Sequence, residues 1–407
     1  MASQGLCSAR FEAVREEFEE NFSRGDVGAA VCITVDGETV VDLWGGVADP
    51  ASGRAWERDT IGVVWSCTKG ATALCAHVLV SRGEIDLDAP VAAYWPGFAK
   101  NGKGAITVRM VLAHQAGLAA FSEPIADAGY LDWELIVERL AAQEPLWAPG
   151  TRHGYHALTF GHLVGEIVRR VTGQSLGSFF RAEIGDPLDL DFWIGLPEEH
   201  EPRVAPTIPA DTPGPDGVIP TFYRVALTDP ASIAAMVVMH SGLLLAPGFI
   251  DTRAAHAAEL PAAGGVANAR ALARMYRVLA LGGAVDGVHL VDHEALATMG
   301  AVASATSVDA TMYVPTRWSL GFCKSVDNHR RGPGDQDGVV LSEDAFGHVG
   351  MGGSIGFADP RARVSFGYTM NHQGMAVGLD ARGQSLVDAT YRVLGYHAPV
   401  RGGSWYV

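Results

Sequence analysis

The chain has 407 residues, of which 48% are hydrophobic and 19% are charged, and its formal net charge at pH 7 is -16. This composition is typical of a globular protein with a large core, in one or two domains, and it excludes a disordered chain. Nucleic acids and anionic membranes recruit basic surfaces, so the negative charge excludes both as expected partners.

The N-terminus and the cysteines indicate a compartment. The first twenty residues lack a basic start followed by an apolar stretch, so no secretory signal peptide is expected. The longest apolar run, residues 232–250, is broken by His240, Gly242 and Pro247 and is not expected to span a bilayer. The cysteines are few, odd in number and without metal-ligand spacing: Cys7, Cys32, Cys67, Cys75 and Cys323. We therefore predict a cytoplasmic protein with buried free thiols and with no metal or other cofactor.

Hydrophobic periodicity predicts the N-terminal elements. An amphipathic helix is expected over residues 9–23. Two strands, residues 29–35 and 38–43, should follow, because Asp36-Gly37 between them is a strong two-residue hairpin signal.

The next predicted helix begins with Ser66-Cys67-Thr68-Lys69 and ends at Gly83. Residues three apart share a helix face, so Lys69 can place its amine beside the Ser66 hydroxyl. A serine needs such a neighbouring base to act as a nucleophile, and a helix N-terminus favours developing negative charge. The pattern is short enough to arise by chance, however, and by itself it fits a helix-capping serine with a surface lysine equally well.

The middle of the chain is predicted to be mainly helical. The helical pattern covers residues 109–180, where Gly173 closes the most regular stripe, and it returns over residues 268–281. Residues 202–230 are rich in Pro and Gly, which predicts a long surface segment that could act as a lid.

The C-terminal third changes to short strands followed by a helix. Strands are expected at residues 318–323, 339–341, 353–358 and 363–370, and the final helix carries Leu386, Val387, Thr390, Val393 and Leu394 on one side. Strands at both ends with helices between them predict an α+β fold, in which both termini build an antiparallel sheet flanked by helices and a mainly helical region is inserted. We expect a sheet domain of residues 1–62 and 285–407 and a helical domain of residues 63–284, with the active site between them.

Two later motifs give the Ser66 pattern a context. Tyr155 ends the phrase Trp147-Ala148-Pro149-Gly150-Thr151-Arg152-His153-Gly154-Tyr155, and His348-Val349-Gly350 follows near the C-terminus. With Ser66 and Lys69 they resemble the three ordered motifs of the serine β-lactamase and penicillin-binding-protein superfamily. The phrase Val111-Leu112-Ala113-His114-Gln115-Ala116-Gly117-Leu118 resembles its esterase-like branch, and the chain is most similar to family VIII carboxylesterases over residues 10–395.

This resemblance implies a β-lactamase-like fold and a serine hydrolase that forms an acyl-enzyme on Ser66. Lys69 would help to remove the serine proton, and Tyr155 would act as a base in acylation and as an acid toward the leaving group. Which of the two takes the proton stays open. The backbone N–H groups of Met351 and Ser66 would form the oxyanion hole, with Gly350 and His348 beside the substrate.

Two departures from the lactamase pattern narrow the expected substrate. Ala157 stands where lactamases have asparagine, and His348 stands where they have a lysine that would hold a substrate carboxylate. The resemblance therefore implies a carboxylesterase acting on short-chain, neutral esters. Hydrolysis of amides, lactams or D-amino-acid peptides at the same site is the alternative, and a catalytically silent scaffold is a third interpretation that the intact Ser66, Lys69 and Tyr155 argue against. The expected partner is a small-molecule ester, and the oligomeric state is not predicted.

A second serine offers a rival mechanism. Gly352-Gly353-Ser354-Ile355-Gly356 fits the nucleophile-elbow pattern, with Asp359 and His372 following in the usual order. An elbow must be a strand, a sharp turn and a helix, whereas strand signal continues after Ser354. We expect Ser354 to be structural.

Other residues are assigned on weaker grounds. His114 is expected to bond the backbone around the Ser66 loop. Trp147, Phe222, Tyr223 and Trp318 are candidate pocket walls, although aromatic residues at these spacings are more often part of a core.

Overall fold

The structure is a computed structural model, and it describes residues 2–211, 217–332 and 338–407. The strands, in chain order, are β1 (Gln4–Cys7), β2 (Gly28–Val35), β3 (Glu38–Asp49), β4 (Arg54–Ala55), β5 (Ile61–Val63), β6 (Phe192–Trp193), β7 (Val204–Ala205), β8 (Val266–Ala267), β9 (Ala284–Val285), β10 (Val288–His289), β11 (Ser304–Thr306), β12 (Thr316–Trp318), β13 (Phe346–Val349), β14 (Ile355–Asp359) and β15 (Val364–Met370). The α-helices are α1 (Glu12–Asn21), α2 (Thr68–Ser81), α3 (Val108–Leu112), α4 (Trp133–Ala142), α5 (Thr159–Thr172), α6 (Leu176–Phe180), α7 (Thr221–Thr228), α8 (Ile233–Met239), α9 (Arg253–Ala257), α10 (Ala269–Ala280), α11 (His293–Gly300) and α12 (Ala381–Val393).

Both ends of the chain build the main sheet. Its strand order is β1-β3-β2-β15-β14-β13, and each neighbouring pair is antiparallel. The predicted α+β fold, with a sheet made from both termini and helices inserted between them, is confirmed. The predicted hairpin turn is present between β2 and β3, where Asp36 and Gly37 both have the positive φ that a tight type I′ turn requires.

Helices cover both faces of this sheet. On one face, Phe366 and Tyr368 of β15 share a core with Phe18 of α1 and Leu386 of α12. On the other face, α10 packs against β15, β14 and β2. Gly367 permits this approach, because a Cβ there would lie 2.1 Å from the carbonyl oxygen of Ala269.

The packing of α10 bears on where the two expected domains divide. The division at residues 284/285 assigns α10 to the helical region, whereas its contacts are with the sheet. The helical pattern alone could not reveal this, because amphipathic helices look alike whether they cover a sheet or another helix. A boundary before Asn268, which caps α10, fits the packing better.

The inserted helices surround α2. Every residue of α2 from Thr68 to Leu79 is buried, and the helix packs against α5, α6 and α11. Gly83 and Gly173 follow α2 and α5 in the left-handed conformation, as the sequence predicts for helix ends. Helix α2 therefore lies at the centre of the helical region.

Several local predictions are wrong. The strand expected at residues 318–323 ends at Trp318, because Gly321 has a φ of 92° and the chain turns back, with the Ser319 N–H bonded to the Phe322 carbonyl. Residues 339–341 form no strand; the N–H groups of Val340 and Leu341 bond to side chains instead of to a neighbouring strand. Strands β1 and β13 were not anticipated.

The expected surface segment at residues 202–230 is only partly described. Residues 212–216 lie outside the described residues. After them the chain forms α7, where the side chain of Phe222 is buried.

Across the described ranges, none of the individual helices is both long and apolar enough to cross a bilayer. Helices α7 and α8 satisfy that test only when taken together, and they are bent by 86°.

Candidate active site

Ser66 lies in a short turn of 3-10 helix, Trp65–Cys67, that leads directly into α2. The preceding backbone is fixed by a hydrogen bond from the Val64 N–H to the Gly265 carbonyl, 2.9 Å long, beside the pairing of β5 with β8. Trp65 has a φ of 46°, which is unusual for a residue other than glycine and typical of functional turns. The serine therefore sits at a constrained junction of strand and helix.

Lys69 is fully buried one turn into this segment. Its Nζ lies 2.9 Å from Ser66 Oγ and 2.8 Å from the carbonyl oxygen of Ala262. Among the described residues, no carboxylate contributes to the electrostatic surroundings of the amine. Burial without a counter-charge lowers the pKa of Lys69 to about 7. A fraction of the amine is therefore neutral at physiological pH, and it can accept a proton from the serine.

Tyr155 completes the group. The Lys69 Nζ lies 4.9 Å from the centroid of its ring, and the ring stacks on Trp318 with centroids 5.1 Å apart. Burial raises the pKa of Tyr155 well above its ordinary value, while a hydrogen bond with the Ser66 side chain acts in the opposite direction. The phenol therefore stays protonated at neutral pH and is suited to donate a proton. The structure brings together all three side chains of the predicted triad.

Asp309 holds the backbone of the tyrosine segment, a role that no sequence pattern predicts. Its fully buried Oδ1 accepts hydrogen bonds from the N–H groups of Tyr155, Thr311 and Met312, at 3.0, 2.8 and 2.9 Å. Its Oδ2 accepts from the Thr316 hydroxyl at 2.9 Å. No short motif marks this aspartate, since Tyr155, the partner that connects it to the site, lies 154 residues away in the chain.

His114 also supports the tyrosine segment, which corrects the expected role of this histidine. The carbonyl of His114 accepts the Gly154 N–H at 3.1 Å, and its Nδ1 accepts the His156 N–H at 3.1 Å. The expectation placed it at the Ser66 loop. The ring instead packs edge-on against Tyr155 and Trp318, with centroids 5.2 and 4.5 Å away.

The third motif lies on β13 and in the turn after it. This strand packs against the turn that carries Ser66. A Cβ at Gly350 would lie 2.4 Å from the Val64 carbonyl oxygen, so only glycine lets the two segments meet. Within the described residues, the N–H of Met351 makes no hydrogen bond to another backbone group. It can therefore serve as an oxyanion donor.

His348 is almost completely buried. Its Nδ1 donates to the Val349 carbonyl at 2.8 Å, and its Nε2 has no hydrogen-bond partner in the described part of the chain. Burial lowers the pKa of His348 to about 3, and the nearby Lys69 adds to that effect. The ring is therefore neutral and cannot replace the lysine that would hold a substrate carboxylate.

The geometry around Ser354 does not fit a nucleophile elbow. Ser354 is buried, donates to the Val64 carbonyl at 3.1 Å and is followed by strand β14, with no helix. Asp359 accepts from the Ser342 and Tyr391 hydroxyls, and His372 bonds to the Gly25 carbonyl. The rival residues are thus committed to separate structural roles.

The described residues contain no group of three or more His, Cys, Asp or Glu side chains that could hold a metal ion. All five cysteines are free, and all except the partly exposed Cys7 are buried.

Ser66, Lys69 and Tyr155 are the side chains of a serine hydrolase. The sheet with its inserted helices is the β-lactamase fold. The family described as Beta-lactamase matches residues 12–390. The chain therefore belongs to the β-lactamase family, and the resemblance to family VIII carboxylesterases predicted from the motifs is confirmed.

Three similar proteins illustrate the relationship. The esterase/beta-lactamase LipL of Mycobacterium tuberculosis is 38% identical over 375 residues, which cover 90% of this chain and 82% of LipL. The crystal structure of a family VIII carboxylesterase superposes with a TM-score of 0.82 at 38% identity, over 97% of this chain and 100% of that one. A penicillin-binding protein homolog from Caulobacter crescentus superposes with a TM-score of 0.84, also at 38% identity and with the same coverage.

Proposed function

We propose that this protein is a carboxylesterase that hydrolyses short-chain carboxylic esters through an acyl-enzyme on Ser66. The observation that carries the proposal is the buried Lys69 amine, 2.9 Å from Ser66 Oγ and with a pKa lowered to about 7. A partly neutral amine at that distance can take the serine proton as the nucleophile attacks. The esterase and carboxylesterase among the similar proteins support an ester as the substrate.

Acylation assigns one role to each residue. Ser66 Oγ forms a bond to the ester carbonyl carbon while Lys69 takes its proton. The N–H groups of Ser66 and Met351 hold the negative charge that develops on the carbonyl oxygen. As the bond to the alcohol oxygen breaks, the Tyr155 phenol gives that oxygen a proton, and the Lys69 ammonium restores the phenol.

Deacylation repeats these steps with water. A water molecule attacks the acyl carbon and gives its proton to Lys69. The bond to Ser66 Oγ then breaks, the serine recovers its proton, and the carboxylic acid leaves. The neutral His348 supplies no cation for a substrate carboxylate, which favours uncharged esters over penicillin-like acids.

Replacing each serine in turn tests the proposal. We expect Ser66→Ala to lower kcat for p-nitrophenyl butyrate by at least about a thousandfold, because the nucleophile is lost. Ser354→Ala should keep most of the activity, since it removes a hydrogen bond to the Val64 carbonyl and one from the Cys67 thiol, neither of which involves the side chain of Ser66, Lys69 or Tyr155. Intact-mass spectrometry of the wild type treated with a fluorophosphonate should show one adduct, and peptide mapping should locate it on Ser66. Loss of activity in Ser354→Ala with retention in Ser66→Ala would refute the mechanism.

Lactam hydrolysis is a second candidate, and the protonated phenol of Tyr155 favours it, because an amine must be protonated as it leaves. The similar protein LipL is named for both activities. Turnover of nitrocefin by the wild type, abolished in Ser66→Ala, would support it. We expect kcat/KM for nitrocefin to be far below that for p-nitrophenyl butyrate, because Ala157 offers no side-chain amide to a lactam.

A further inference from the structure

A small cavity adjoins Tyr155 and the end of β13. Its volume is about 70 Å³, and its walls include Tyr155, Met312, Val314, Trp318, Val339 and Val349. Most of its lining surface is apolar. Tyr155, Trp318, Val339 and Val349 are each buried in the surrounding core, so these walls are well packed, while the cavity as a whole is partly open to solvent.

The polar groups around the cavity are mostly neutral or occupied. The His348 imidazole and the Cys323 thiol are both uncharged at neutral pH, because burial lowers the pKa of His348 to about 3 and raises that of Cys323 to about 12. The Arg317 guanidinium is held by both carboxylate oxygens of Glu343, at 2.8 and 2.9 Å. Burial lowers the pKa of Lys324 to about 8, so this ammonium is still mostly charged at neutral pH, and the nearby Glu343 carboxylate, already paired with Arg317, favours that charge. An uncharged group is therefore the better occupant.

The walls also indicate which part of a substrate the cavity faces. Ser66, Lys69 and Met351 are not among its lining residues in the described chain, whereas Tyr155 is. Under the proposed function, the acyl carbon is bonded to Ser66 and its oxygen lies at Met351. Tyr155 meets the alcohol oxygen, to which it gives a proton. A cavity that shares only Tyr155 with these groups lies on the side of the leaving alcohol.

We propose that this cavity binds the alcohol part of the ester and selects alkyl groups of about three or four carbon atoms. The size follows from comparison with apolar cavities in proteins, in which about 150 Å³ holds one benzene molecule. A cavity of about 70 Å³ holds roughly half as many carbon atoms. This inference rests on the proposed function, and it adds the substrate class to it.

Two ester series separate the alcohol from the acyl group. In the first, the acyl group is always acetyl and the alcohol grows from methanol to hexanol; in the second, the alcohol is always propanol and the acyl group grows from acetyl to hexanoyl. We expect kcat/KM of the wild type in the first series to rise about fourfold with each methylene group that the cavity buries, up to propyl or butyl, and then to stop rising.

Two variants change the cavity in opposite directions. Val314→Phe should fill it and lower kcat/KM for propyl acetate by about tenfold relative to methyl acetate. Met312→Ala should enlarge it and move the maximum of the alcohol series to longer chains. Neither should change the order of preference in the acyl series. Val308→Phe and Met239→Ala are matched controls, because both side chains are exposed and outside the cavity, and both should leave the alcohol series unchanged.

The outcomes distinguish the inference from the function on which it rests. If Ser66 carries the turnover but Val314→Phe changes the acyl series instead, or changes neither series, the assignment of the cavity to the alcohol is wrong. Faster hydrolysis of an acetate ester of a hydroxy acid than of propyl acetate would overturn the preference for an uncharged group. If Ser66→Ala retains activity, the proposed function itself fails, whatever the two series show.

Discussion

Lys69 shows how burial alone can prepare a residue for chemistry. A lysine in water is almost entirely protonated at neutral pH and cannot accept a proton. Enclosed in the core of the helical region, with the Ala262 carbonyl and Ser66 hydroxyl as its hydrogen-bond partners, this amine has a pKa of about 7. Tyr155 changes in the opposite sense, since burial raises its pKa. The pair thus becomes a base and an acid, and Lys69 is the residue suited to take the serine proton.

This assignment predicts the pH dependence of activity. The neutral amine is the active form, so kcat/KM for p-nitrophenyl butyrate should be constant well above pH 7 and should fall about tenfold per pH unit below the Lys69 pKa. A profile measured between about pH 5 and 9, with protein stability checked at each pH, would determine the midpoint. An unchanged rate through this range, or a rate that rises as the pH falls, would contradict a lysine base.

At the scale of elements, the loop that carries Asp309 determines the position of Tyr155. One carboxylate joins the tyrosine segment before α5 to Thr316 at the start of β12, and this strand carries the stacking residue Trp318. Charged acceptors of backbone N–H groups make strong hydrogen bonds, and an unsatisfied buried group is costly. The loop therefore acts as a rigid support for the phenol.

Replacement of this carboxylate tests that role. Asp309→Asn exchanges one acceptor oxygen for an amide nitrogen, so we expect a loss of about 1–3 kcal/mol in the free energy of unfolding. We also expect kcat to fall more than KM changes, because Tyr155 is displaced from the leaving oxygen. Chemical denaturation and steady-state kinetics measure the two effects. The matched control is Asp359→Asn, also buried and hydrogen-bonded, but to Ser342 and Tyr391. It should lose stability with little change in kcat; an equal loss of kcat in both variants would show that the effect is general.

At the scale of the whole molecule, a buried charge network joins the N-terminal and C-terminal layers to the turn after β13. The Arg382 guanidinium contacts Asp26 at 2.9 Å and Asp380 at 2.6 Å, and it donates to the Gly352 carbonyl at 3.1 Å. The Tyr368 hydroxyl also donates to Asp26. Gly352 follows Met351, so the orientation of the candidate oxyanion donor depends on residues from both ends of the chain.

Removal of the guanidinium should therefore weaken catalysis from a distance. We expect Arg382→Met to lower kcat for p-nitrophenyl butyrate by about tenfold to a hundredfold, with a smaller change in KM, because oxyanion stabilisation acts mainly in the transition state. Added guanidinium at low concentration should restore part of the rate. Arg169→Met is the control, since Arg169 pairs with the buried Glu166 in the helical region. Equal kcat values for wild type and Arg382→Met, at a temperature where both are folded, would contradict the coupling.

The parts of the fold that could be predicted from the sequence are those that depend on short stretches of the chain. The Asp36-Gly37 turn, the glycines that end α2 and α5, and the alternation along β15 each depend on neighbouring residues alone. The placement of α10 and the loss of a strand at residues 339–341 could not be read in this way. Both depend on which distant surface or side chain meets the segment.

By itself, the sequence determined which residues could do chemistry: Ser66 and Lys69 are one helical turn apart, and their order with Tyr155 and His348 identifies the family. Only the tertiary structure decided how they act. Burial lowers the pKa of Lys69, raises that of Tyr155 and keeps His348 neutral. The tertiary structure also brings Asp309 next to Tyr155 and Arg382 next to the turn after β13. The physical reason is that hydrogen-bond spacing along a helix is a local property, whereas desolvation and charge pairing depend on atoms supplied by the whole chain.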